Sequence, residues 1–126
     1  MPSISKLFFR TAILFLLVGI GIGLHMSISG VHNVTGAHAH ANLLGWVTMA
    51  IMGTYYALVP AKAGGILPKI QYGVYTIGLL VMIPSLYMLL LGHPEVEPLV
   101  AGGSLITYAG VILFAFVIFT GDSKAA

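Results

Sequence analysis

Long apolar runs, separated by short gaps rich in glycine and proline, set the pattern of this chain. Four runs stand out, at about residues 7–29, 38–60, 70–91 and 99–120. Each is close to the roughly 20 residues that a helix needs to cross a hydrocarbon core. Gly30 and Gly36, Pro60 and Pro68, then Gly92 and Pro98 bound the gaps, and Gly121 closes the last run. The spacing predicts an all-α integral membrane protein with one domain over residues 1–126. Its four transmembrane helices form an up-down-up-down bundle, because short connections join antiparallel neighbours.

Composition agrees with the pattern. Of 126 residues, 59% are hydrophobic and 6% charged, and the mean hydropathy is +1.05. A soluble domain carries about 25% charged residues, so this chain lacks the polar surface that water requires. Its partner is a lipid bilayer. The net charge of +2 gives no nucleic-acid footprint. With no cysteine, disulfides, thiolate metal sites and covalently attached haem are excluded.

Charge placement predicts orientation. Lys6 and Arg10 open the first run, Lys62 and Lys69 flank the second gap, and Lys124 follows the last run. All five fall on one side, and by the positive-inside rule both termini are expected in the cytoplasm of a bacterial inner membrane. His32, His38, His40, His93, Glu95 and Glu97 then face outward, with His25 about a turn below. The first run is too long for a signal peptide.

The chemistry concentrates in Gly36-Ala37-His38-Ala39-His40-Ala41-Asn42-Leu43-Leu44-Gly45-Trp46. Histidines at a membrane helix are expensive to desolvate and mark metals, cofactors or proton paths. Imidazole is also a common haem ligand. On an α-helix, residues two apart lie about 200° around the axis, so His38 and His40 cannot bind one iron from the same helix. They suit two clefts, one on each side. A closed ring of copies would bring His38 of one opposite His40 of the next, with a bis-imidazole haem at each interface. Ala41 and Gly45 beneath His38 let a flat macrocycle approach the backbone, and Trp46 either meets a haem edge or packs. His25 is a further candidate, able to pair with one of the two. His32 and His93 read as interfacial side chains, and Tyr55-Tyr56 as an aromatic belt.

The stretch from His40 to Trp46, continuing through Met52-Gly53-Thr54-Tyr55-Tyr56-Ala57-Leu58-Val59-Pro60, resembles the second helix of subunit I in nitric oxide reductases and cbb3-type oxidases. There the matching histidine is an axial ligand of low-spin haem b. Ala37-His38-Ala39-His40 also resembles the tenth helix of haem-copper oxidases, whose His-x-His pair serves two haems. Subunit I in that superfamily has three pseudo-equivalent groups of four helices, and this chain looks like one such group. The resemblance implies a homotrimer that rebuilds the set, with non-covalent haem b. It also departs from the family: the third and fourth runs contain no His, Asp or Glu, so the second-metal ligands and proton channel of a complete oxidase or reductase are missing.

The resulting expectation is a b-type haem protein for electron transfer or diatomic-gas response, with an unidentified redox partner. A competing expectation is non-enzymatic copper or haem handling during oxidase assembly, with His32, His93, Glu95 and Glu97 over Met26 holding copper. A third is a scaffold subunit of a larger respiratory complex.

Overall fold

The computed structural model describes residues 1–120; Gly121 and Lys124, which figure in the sequence reading, lie outside the described residues. Every element among those residues is helical. Helix α1 spans Ser3–Ser29 and ends at Gly30, whose φ of 72° is the left-handed conformation that closes helices. A second helical column covers residues 35–58. It begins as α2, Thr35–His40, widens into a π-helical segment, Ala41–Thr48, and resumes as α3, Met49–Leu58. Helix α4, Leu67–Leu90, has Pro68 in its first turn, where proline is tolerated, and carries Pro84 internally. Short 3₁₀ turns at Pro60–Lys62 and Pro94–Val96 lead into the last two helices, the second being α5, Glu97–Phe119.

Three helices are long and apolar enough to cross a membrane: α1, α4, and the run Pro94–Phe119. The column at 35–58 is helical throughout but divided by its π segment. Each helical stretch starts two to four residues earlier than hydropathy places it: polar Ser3, Thr35 and Glu97 join three of the first turns, and Pro68 and Lys69 join that of α4. Glu97 therefore belongs to α5, which the sequence reading starts at residue 99.

Close contacts fix the directions. Along α1, Phe15 meets Gly45 and Phe8 meets Gly53, while Gly23 meets His38. Between α4 and α5, Gly78 meets Thr107, Met82 meets Gly103 and Tyr75 meets Gly110. In both seams the pairing advances along one helix as it retreats along the other, so the neighbours are antiparallel. Glycine at these points admits the facing backbone: a Cβ on Gly103 would stand 2.6 Å from Met82 N. Without water to drive association, this close van der Waals packing holds membrane helices together.

The main core lies toward the end bearing Lys6, Arg10, Lys62 and Lys69. There Phe8 stacks on Tyr56, and Tyr55 and Tyr56 both meet Phe114 edge-on. Tyr56 is fully buried, which corrects its assignment to an interfacial belt: its hydroxyl donates to Gln71 Oε1 at 3.1 Å. Gln71 is itself fully buried, and its Nε2 donates to Gly110 O at 3.2 Å. That network joins the column, α4 and α5 where no water could satisfy an amide. Outside, large apolar side chains face away on every helix, including Leu17 at 63% exposure and Leu105 at 69%. Such a surface suits hydrocarbon rather than water.

Candidate functional site

The two central histidines occupy the last turns of α2, immediately before the π segment. His38 is half-buried and turns toward α1. Its Nδ1 lies 2.6 Å from Gly19 O. A carbonyl can only accept, so Nδ1 carries the proton and Nε2 is the basic nitrogen. The ring rests on Gly23, where a Cβ would come within 2.7 Å of Cε1. Gly23 therefore makes room for the imidazole inside its own chain, and Gly19 makes room for Asn42 beside it.

His40 is exposed. Its Nδ1 lies 2.7 Å from Gly36 O, one turn back on the same helix. The same logic places the proton on Nδ1 and leaves Nε2 basic. Neither Nε2 has a hydrogen-bond partner among the described residues. Metal-bound histidines characteristically donate the far ring N–H to a backbone carbonyl, which fixes the tautomer and strengthens the ligand. Both rings have that arrangement.

Asn42, one turn beyond His38, completes the surroundings. Its Nδ2 is 3.4 Å from His38 Nδ1, and its Oδ1 is buried without a partner. Two donors cannot bond each other. Turning the amide would bring Oδ1 to the ring N–H and remove the orphan, making Asn42 a second acceptor for His38. A histidine followed by an amide at i+4 was the available sequence signal for this role.

Below the pair, Ala41 and Gly45 are buried against α1, and Gly45 lies on Phe15. Trp46 is partly buried against the main core. The π segment has wider turns than an α-helix and such segments concentrate at functional sites. Tyr75 Oη donates to Leu44 O at 2.7 Å, and Thr48 Oγ1 donates to Leu43 O at 2.9 Å. These two hydroxyls hold carbonyls of the widened stretch.

The structure does not bring His25 to His38. Gly23 faces His38, and His25, two residues on, points about 200° away around α1. It lines an open apolar cleft of about 520 Å³ between α1 and α4, with Val18, Gly21, Ile83, Tyr87 and Met88. His32 is exposed, its carbonyl accepting from Thr35 Oγ1. His93 Nδ1 lies 3.2 Å from Glu95 Oε1, both side chains being well exposed. Among the described residues no three His, Asp or Glu side chains converge as a metal-binding group. No family model, curated protein or solved structure matches the chain.

Proposed function

We propose that this chain is a membrane b-type haem protein for one-electron transfer, with His38 and His40 as axial ligands. The observation that carries the reading is the state of the two rings: each Nδ1–H is tied to a backbone carbonyl, and each Nε2 is left basic. The donor set fits non-covalent haem b, because the chain offers imidazoles and no thiol.

The ring arrangement follows from the helix. His38 faces its own α1 and His40 lies on the far side, so two imidazoles that held one haem would come from two copies. We assign four spans, the 35–58 column among them, and a homotrimer with three equivalent interfaces. The basic end faces the bacterial cytoplasm, and the histidines lie toward the outer leaflet. The haem would supply a single-electron couple; this chain's residues hold it and exclude competing ligands. Gly19 O and Gly36 O fix the rings and Asn42 steadies His38, while Ala41 and Gly45 pack the column against α1 beside them. Two imidazoles on one iron would leave no site for a gas, which favours electron transfer over gas binding.

Supplying haem to the purified protein tests this. His40→Ala and His38→Ala should each reduce bound haem at least tenfold, while His93→Ala should leave it unchanged. Full haem content in both central variants would overturn the ligand assignment.

A further inference from the structure

Helices α1 and α4 touch at a few points, such as Phe8 edge-on against Tyr72, and the spaces between those points line up as a groove along the two helices. At the basic end it opens as a pocket of about 390 Å³ with Ser3, Arg10, Gly64, Gly65 and Lys69 on its walls. Next comes an apolar cleft of about 330 Å³, formed by Leu14, Phe15 and Val18 on one helix and Tyr72 and Leu80 on the other. The cleft at His25, which shares Val18, continues it. Thr11 and Tyr72 hydrogen-bond across the groove at 2.5 Å, close to where the basic pocket gives way to the apolar cleft.

We propose that this groove is an anionic-phospholipid site, with the phosphodiester between Arg10 and Lys69 and acyl chain along Leu14 and Leu80. Charge is the first argument. The described carboxylates, Glu95 and Glu97, sit at the opposite end of the molecule, so among the described residues neither cation has a counter-charge within reach. Arg10 lies seven residues into α1, roughly 10 Å along its axis, where an unpaired guanidinium is costly in lipid. A headgroup phosphate supplies the missing partner, and basic pockets between membrane helices bind anionic headgroups. Helix ends add to this. Both α1 and α4 start at this pocket with no acidic residue and no side-chain cap in the first turn, so their positive dipole ends favour an anion. Continuity is the second argument: beyond the Thr11–Tyr72 bridge the same two helices line an apolar cleft whose Leu14 and Leu80 are 61% and 58% exposed. A soluble anion would use only the first compartment. A phospholipid uses both.

The site is independent of haem, so its test uses the full chain in a neutral detergent whatever the cofactor state. Native mass spectrometry would compare dioleoyl phosphatidylglycerol with dioleoyl phosphatidylcholine at equal concentration. Each cation near a membrane surface is worth about fivefold in binding, so a preference of about 25-fold for the anionic lipid is expected. Arg10→Gln with Lys69→Gln should abolish the preference, and Lys62→Gln, outside the groove, should leave it intact. Arg10→Lys keeps the charge and should retain most of the preference, separating loss of phosphate binding from loss of fold. Leu14→Trp, which fills the apolar cleft without altering charge, should weaken both lipids. Displacement of the lipid by millimolar inorganic phosphate, or a Leu14→Trp variant that binds both lipids normally, would reduce the site to a soluble-anion pocket and overturn the proposal. So would equal binding of the two lipids by the unaltered chain, or a lipid-independent dimer that Leu14→Trp dissolves.

Discussion

A carbonyl oxygen 2.6 Å from His38 Nδ1 decides which ring nitrogen carries the proton, and so what the other nitrogen can do. Gly36 O makes the same decision for His40. In each case the backbone fixes the tautomer and leaves Nε2 with its lone pair, the nitrogen that an oriented metal ligand would use. The position of His38 also depends on what is missing from α1. A side chain at 23 would occupy the space of the ring, whereas Gly21 faces open space. Gly23→Val should therefore displace His38, lower haem content several-fold and broaden the optical bands, while Gly21→Ala leaves the spectrum unchanged. Titrating haem into both purified variants checks this, and equal uptake would contradict it. The sequence made the histidine pair visible through its spacing. It did not reveal that His38 turns inward, because the reason lies in Gly23 and the carbonyl of Gly19, far back along the chain on α1. Nor did it mark Asn42, whose part depends on the ring it meets.

Among the elements, hydropathy located the helical stretches to within a few residues, because burying apolar length in lipid dominates their placement. It could not anticipate the π segment at Ala41–Thr48. No residue type demands a widened turn, and reading the column with a uniform 3.6-residue period assumes one away. Tyr55-Tyr56 shows the same limit. Their nearness to a predicted helix end suggests a headgroup belt, yet Phe8 and Phe114 enclose Tyr56 and Gln71 satisfies its hydroxyl. The α4–α5 seam depends on glycine more strictly than the histidine site does. A Cβ on Gly103 meets the backbone of Met82, which cannot swing aside as a side chain can. Gly103→Ala should destabilise the folded chain by about 1–3 kcal/mol through overpacking. Its neighbour Gly102 has nothing within 4 Å, so Gly102→Ala should be neutral or stabilise by up to about 1 kcal/mol through helix propensity. Unfolding in a mixed-detergent titration measures both, and equal shifts would contradict the seam.

For the molecule as a whole, the distribution of charge and chemistry is polar along the bundle axis. Cations and the Tyr56–Gln71 network occupy one end, and the five histidines lie toward the other. Between them the outer surface is apolar on all sides, as contact with hydrocarbon requires. Because His38 and His40 diverge from one helix, a single chain cannot complete a bis-histidine pair with them. The proposed function therefore ties ligation to oligomerisation. The most direct test is an absorbance spectrum and native mass taken on the same haem-supplied sample. The account predicts a six-coordinate low-spin spectrum in both redox states, on a closed homotrimer carrying one haem per chain. A monomer that holds haem with full occupancy, a high-spin spectrum, or a trimer that takes up no haem at all would contradict it.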